Sequence, residues 1–216
     1  MKSILRFNHK NTVTVPLGLQ RLEEQFNEDF LEYFFKGYTK PGDIILDPFI
    51  GLGTSMVVAQ RMCRECYGFE INRERFDFVK LQINDSQHLF NASALNLKRY
   101  NVPNIDFSIS SPPYTHILHH NNPLRTSTEN TADPYKQFLG DIRDIYSQIK
   151  NKLKHNGYCI VEVSNIFDKN HNFSPLAWDI AKEVIKIMPL QEEIIIEWEK
   201  SQYGFTHTYC FVFQNV

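Results

Sequence analysis

Short apolar runs that alternate with segments of helical periodicity most constrain how this chain can fold. The sequence predicts strands at 44–46, 67–70, 105–110, 158–163, 192–198 and 208–213, and helices at 19–36, 53–64, 73–84, 135–155 and 175–188, after a polar arm that reaches about Val15. Strands separated by helices predict an α/β fold with a mostly parallel, doubly wound sheet and helices on both faces. Because no helix separates the last two strands, they predict an antiparallel hairpin at one edge.

The length and composition favour a single domain spanning residues 1–216. A chain of 216 residues, 42% of them hydrophobic, can bury one core and still carry a cleft. The formal net charge is -2, from 23 basic and 25 acidic side chains. Any contact with a polyanion must therefore come from a local patch.

The sequence contains no apolar run near the roughly 20 residues that a membrane-spanning helix needs, and its first residues lack the apolar core of a signal peptide. We therefore expect a cytoplasmic protein with no membrane partner. Its four cysteines are too few and too unevenly spaced for a disulfide framework. Cys63 and Cys66 have metal-ligand spacing, but no second pair lies nearby, so we predict no metal site.

A loop with two glycines, residues 47–54, follows the first predicted strand and leads directly into a helix. Gly51 and Gly53 allow the backbone to turn tightly and to approach a ligand closely. Ligands of open parallel sheets bind outside the carboxyl ends of the strands, so this glycine loop is a predicted cofactor site, although a plain strand-to-helix turn would look the same. Glu70 ends the next predicted strand, at the position where related sheets place an acid on ribose hydroxyls.

A second motif, Ser111–Pro112–Pro113–Tyr114, follows the strand predicted at 105–110; we refer to it as the SPPY segment. Together with the glycine loop Asp47–Pro48–Phe49–Ile50–Gly51–Leu52–Gly53–Thr54, it resembles the amino-methyltransferases that act on nucleic-acid bases. The resemblance extends from about Val15 to Phe213. With serine at the first position of the segment, the chain resembles the cytosine-N4 branch of that family.

The resemblance implies a Rossmann-like, seven-stranded methyltransferase sheet that binds S-adenosylmethionine. The cofactor-binding residues that it implies are Asp47, Pro48, Phe49, Gly51, Gly53, Thr54, Glu70, Asn91 and Ala92. Asn91 departs from the family pattern, because an acidic residue is common at that position near the cofactor adenine.

Catalytic roles are expected for Ser111, Pro112, Pro113 and Tyr114. The exocyclic amino group of a base delocalises its lone pair into the ring and is therefore a poor nucleophile. The Ser111 hydroxyl and the Pro112 carbonyl can accept from its two N–H bonds and free the lone pair, while the consecutive prolines fix the backbone. Tyr114 is expected to stack on a base that has left the duplex or arrived single-stranded.

The polar stretch 115–134 is a predicted substrate loop, since irregular stretches of this length in compact domains are usually functional or disordered. We expect His116, His119 and Arg125 to contact the substrate, and a solvated loop is the alternative for the histidines. No separate target-recognition domain is evident, so only this loop and the N-terminal arm could read a sequence.

Cytosine N4 in DNA is the predicted target. Adenine N6 in DNA and an amino group of guanine or adenine in RNA are the alternatives, because the same geometry serves each amino nitrogen. Two other classes stay open: a non-catalytic binding subunit and a nicotinamide-dependent oxidoreductase. The second is disfavoured because Thr54, Ser55 and Met56 follow Gly53 where a dinucleotide motif has its third glycine.

Overall fold

The computed structural model describes residues 3–7, 19, 26–118, 122–125, 132–198 and 207–216. Its elements are, in chain order, β1 Ile4–Phe7, α1 Glu28–Tyr38, β2 Ile44–Asp47, α2 Thr54–Arg61, β3 Glu65–Phe69, α3 Arg73–Lys80, β4 Leu89–Phe90, a 3-10 helix Ala94–Arg99, β5 Ile105–Ser110, α4 Pro134–Lys152, β6 Leu153–Val163, β7 Ile166–Phe167, β8 Phe173–Ser174, α5 Leu176–Ile185, β9 Leu190–Trp198 and β10 His207–Gln214.

The main sheet has the strand order β1-β9-β10-β6-β5-β2-β3-β4. Strand β10 pairs in antiparallel fashion with both β6 and β9, while every other pairing in this sheet is parallel. The predicted α/β class and mostly parallel sheet are confirmed. Within the described residues, however, the sheet has eight strands and not seven.

The predicted edge hairpin is wrong in one respect, because β9 and β10 do not form the edge of the sheet. Residues from the segment expected to be a polar arm form β1, which pairs with β9 through Ile4 and Ile195. The arm prediction failed since a four-residue strand carries too little periodicity to be distinguished from a loop. The two-residue strands β4, β7 and β8 were missed for the same reason.

Two predicted helix boundaries are also wrong. Helix α1 begins at Glu28, where the Asn27 side chain accepts a 3.0 Å hydrogen bond from the Phe30 N–H and caps the helix; residues 20–25 of the predicted helix lie outside the described residues. Helix α4 ends at Lys152, where the chain enters β6 directly; Asn156 has a positive φ of 65° within that strand and does not mark the helix end.

Helices cover both faces of the sheet, as predicted. On one face, α4 and α5 pack side chains such as Phe138, Ile142 and Ile180 against the strands. On the other face, α1, α2 and α3 contribute Phe30, Val58 and other fully buried side chains. In the part of the chain that the structure describes, no helix is long and apolar enough to cross a membrane.

Candidate active site

The glycine loop and the SPPY segment lie side by side at the carboxyl edge of the sheet. Strands β2 and β5 are parallel neighbours with Leu46 opposite Ser108, so the chain leaves both strands at the same edge. Strand β3 pairs in parallel with β2 on the other side, and β4 follows β3. Parallel strands thus bring the glycine loop, Glu70 and Asn91 together beside the SPPY segment.

Asp47 holds the start of the glycine loop. Its carboxylate is fully buried and accepts hydrogen bonds from the Phe49 N–H at 3.0 Å and the Ser55 hydroxyl at 2.5 Å. Burial raises the pKa of Asp47 to about 7, although both hydrogen bonds act in the opposite direction. The side chain therefore fastens the loop to the first turn of α2.

The two glycines of this loop adopt backbone angles that suit few other residues. Gly51 has φ 54° and Gly53 has φ 84°. A Cβ atom on Gly53 would also lie 2.6 Å from a methyl carbon of Val79 on α3. Glycine at position 53 is thus required by the local turn and by the close approach of α3.

Thr54 begins α2 at the end of the glycine loop. Its hydroxyl oxygen is buried and, among the side chains of the described residues, has no hydrogen-bond partner. A buried polar atom without a partner is costly, and such atoms in native proteins commonly face a ligand or water site. This oxygen therefore supports a ligand at the loop.

Glu70 and Asn91 meet at the ends of β3 and β4. Glu70 is buried, and one of its carboxylate oxygens accepts a 2.6 Å hydrogen bond from the Asn72 N–H. The Asn91 side-chain amide donates to the Glu70 carbonyl oxygen at 2.9 Å, and the Ala92 N–H donates to the same oxygen at 3.1 Å. Asn91 is therefore a link between two strand ends.

Strand β6 supports the SPPY segment from the side opposite the glycine loop. The Ser164 N–H, just beyond β6, donates a 2.9 Å hydrogen bond to the Tyr114 hydroxyl. At the other end of the segment, the neighbouring Ser110 and Tyr146 hydroxyls lie 2.8 Å apart. The ring of Tyr114 is thus fixed at its hydroxyl as well as through the backbone.

Glu162 is a residue of this site that the sequence analysis missed. It lies on β6, is 7% exposed, and is hydrogen bonded by the hydroxyls of Ser111 and Thr208. Burial raises the pKa of Glu162 despite these two bonds. The signal was present in the sequence, since Glu162 is an isolated acid within the apolar strand 158–163.

His116, one of the predicted substrate contacts, is buried in this structure, and its contact with a substrate stays a prediction. The side chain is 1% exposed, its Nε2 lies 2.9 Å from the Asn172 carbonyl oxygen, and its Nδ1 accepts from the Leu118 N–H at 3.1 Å. Both ring nitrogens are therefore used inside the protein. The polar sequence around His116 gave no indication that the hairpin β7–β8 would cover it.

Arg125 is held by an ion pair. Its guanidinium donates two 2.7 Å hydrogen bonds to the carboxylate of Asp141 on α4, and the Asn122 side chain donates to the same carboxylate at 2.7 Å. Asp141 is buried, so the arrangement anchors residues 122–125, which lie within the predicted substrate loop. Contact of Arg125 with a substrate stays a prediction, and His119 lies outside the described residues.

Known proteins are similar to this chain in sequence and in fold. The family described as DNA methylase matches residues 3–81. The Type II methyltransferase M.BglII of Bacillus subtilis is 37% identical over 94 residues, which cover 44% of this chain and 24% of that enzyme. The structure of TrmN from Thermus thermophilus has a TM-score of 0.64 at 16% identity and covers 91% of this chain and 51% of its own. A Streptococcus mutans protein solved in complex with SAH has a TM-score of 0.56 at 11% identity, covering 89% and 99% of the two chains.

The similarities to solved structures show that the fold is a methyltransferase-type α/β sheet. The predicted resemblance to the DNA amino-methyltransferases is likewise confirmed, over a stretch that includes the glycine loop and Glu70. The structural likenesses concern the fold alone. This chain spans 24% and 42% of the lengths of the first two curated relatives that it matches.

Proposed function

We propose that this chain binds S-adenosylmethionine and methylates an exocyclic amino group of a DNA base, with cytosine N4 as the target. The observation that carries the proposal is the parallel pairing of β2 with β5, which brings the glycine loop and the SPPY segment to one edge of the sheet. A methyl donor held by the first loop can then face an amino group held by the second, and such positioning is a large part of the rate enhancement for two-substrate transfers.

The residues of the glycine loop fit this cofactor. The Thr54 hydroxyl lacks a protein partner among the described residues, and Gly51 and Gly53 keep the backbone free of side chains where a ligand would rest. The buried Glu70 carboxylate stands at the next strand end, where it can accept from ribose hydroxyls. When bound, the cofactor supplies a methyl group activated by a positive sulfonium.

The SPPY segment is suited to activating an amino group. If the Ser111 hydroxyl donates to the neighbouring Glu162 carboxyl, its lone pairs are left to accept from an amino N–H. The Pro112 carbonyl is the proposed acceptor for the second N–H. Both acceptors favour a tetrahedral nitrogen, and their fixed positions limit reorganisation during transfer.

DNA is favoured over RNA because the family match is to a DNA methylase and the first curated relatives are Type II methyltransferases. Ser111 at the first position of the segment supports cytosine over adenine, through the resemblance stated above. A binding subunit without activity is the weaker alternative, since both motifs are intact and adjacent.

The test is expression of the chain in a host that lacks DNA methylation, followed by nucleoside mass spectrometry of its DNA and RNA. We expect N4-methylcytosine in DNA, absent from a Ser111→Ala control. N6-methyladenine would correct the base, modified RNA alone would correct the substrate, and cofactor binding without transfer to either would indicate a binding subunit. Sequencing with a method sensitive to modified bases would then define the recognised site.

A further inference from the structure

The small hairpin that covers His116 stands next to the SPPY segment. Strands β7 and β8 pair in antiparallel fashion with Phe167 opposite Phe173, and a turn over residues 168–172 joins them. We refer to residues 166–174 as the aromatic hairpin. It begins just beyond Ser164, whose N–H holds the Tyr114 hydroxyl.

The aromatic hairpin exposes unusual apolar surface. Phe167 is 60% exposed and Phe173 is 52% exposed, and their ring centroids lie 5.2 Å apart. In the chain segment after Tyr114, Ile117 and Leu118 are about half exposed as well. Clustered exposed apolar side chains commonly mark an interaction surface.

Hydrogen bonds join the aromatic hairpin to the residues that follow the SPPY segment. The His116 Nε2 lies 2.9 Å from the Asn172 carbonyl oxygen, and the Ile117 N–H donates to the Ser174 hydroxyl at 3.3 Å. Both His116 and Ser174 are buried. The exposed apolar side chains are therefore continuous with the segment that carries Tyr114.

The turn of the hairpin is built to stay rigid. The Asp168 carboxylate accepts 2.8 Å hydrogen bonds from the Asn170 N–H, the Asn172 N–H and the Asn172 side-chain amide. Lys169 is exposed in the same turn. A rigid aromatic tip with a neighbouring cation matches the two components of a nucleic-acid strand, the bases and the phosphates.

We propose that the aromatic hairpin is a DNA contact surface, on which Phe167 and Phe173 stack against a base that loses its neighbour when the target base leaves the helix. This inference rests on the proposed function. A base that is drawn out of the duplex leaves unstacked neighbours, and proteins that distort DNA commonly offset that cost with apolar side chains placed against base steps. Lys169 contacts a phosphate of the same strand.

The test compares double variants of the two phenylalanines. Phe167→Ala with Phe173→Ala removes the rings, the two Phe→Tyr changes retain aromatic faces, and the two Phe→Leu changes retain apolar volume without an aromatic face. Leu81→Ala is the matched control, because Leu81 is 81% exposed and follows the last turn of α3, whose end lies at the opposite edge of the sheet. The probe is DNA from a methylation-free host, with methyl transfer and cofactor binding measured for every variant.

We expect the Ala and Leu pairs to raise the KM for DNA by about 10- to 100-fold, consistent with roughly 1–3 kcal/mol per stacked base. The Tyr pair and Leu81→Ala should keep the wild-type KM, and cofactor affinity should be unchanged throughout. An unchanged KM in the Ala pair overturns the inference while leaving the proposed function intact. A shift in oligomeric state at unchanged KM would also overturn it, because the hairpin would then contact another protein chain. Absence of any methyl transfer by the wild-type chain would instead overturn the proposed function.

Discussion

The glycine loop and the SPPY segment differ in what holds them in place. The glycine loop is fixed by contacts close in sequence, such as the Asp47 bonds to Phe49 and Ser55. The SPPY segment is fixed by residues about 50 positions later, with Ser164 on the Tyr114 hydroxyl and Glu162 on Ser111. The cofactor side is therefore a local structure, while the proposed base site depends on the completed sheet.

The largest effect is expected at the SPPY segment, where Ser111→Ala removes one acceptor aimed at the amino group. The kcat should fall by about 100- to 1,000-fold, as is typical for loss of one preorganised polar group, while cofactor affinity is retained. Single-turnover methyl transfer and calorimetric cofactor titration would measure the two quantities. Ser147→Ala on α4 is the control, and equal activity of both variants would remove Ser111 from catalysis.

Gly53→Ala tests whether the glycine loop requires glycine at this position. Alanine would have to adopt the positive φ of this position, and its Cβ atom would lie 2.6 Å from a methyl carbon of Val79. We therefore expect the free energy of unfolding to fall by about 2–4 kcal/mol. The matched change Gly140→Ala, in helix α4 with open space around the site, should be neutral or slightly stabilising. Urea denaturation of the two variants compares them, and similar midpoints would contradict the steric argument.

Two substitutions of Tyr114 separate the contribution of its ring from that of its hydroxyl. Tyr114→Ala should weaken DNA binding by about 1–3 kcal/mol through lost stacking and leave cofactor affinity nearly intact. Tyr114→Phe keeps the ring but leaves the Ser164 N–H without its acceptor, so it should bind DNA nearly as wild type and lose about 1 kcal/mol of stability. Equal weakening of DNA and cofactor binding by the Ala variant would count against base stacking.

A pH dependence is expected at Asp47, which lies at the start of the glycine loop. Its pKa is raised in the folded state from 3.8 to about 7, so the native chain holds a proton that the unfolded chain releases. The contribution of this group to stability is therefore fully present below about pH 4 and is lost between about pH 4 and 7, with a slope that approaches 1.4 kcal/mol per pH unit. Urea unfolding across this range would show the slope in the wild type and a flatter profile in Asp47→Asn, and parallel profiles would contradict the assignment.

The same contrast explains how much could be predicted from the sequence. The order of strands and helices, the glycine loop and the SPPY segment were readable because each is a local pattern. The burial of His116 and the role of Glu162 were not, since both depend on strands that pair across 40 or more residues of chain. Strand β1 and the aromatic hairpin were missed because elements of two to four residues leave no periodic signal.

The pairing of β1 with β9 has a practical consequence for work with this protein. Without residues 4–7, the nine-residue strand β9 would present its unpaired backbone to solvent, and such an edge readily adds strands from other molecules. In this structure the four-residue strand β1 forms the edge of the sheet beside β9, and its exposed Arg6 is ion-paired with Glu197. Short edge strands with charged side chains are less prone to add strands from other molecules. Affinity tags and truncations at this end should therefore spare residues 3–7 if soluble, monodisperse material is wanted.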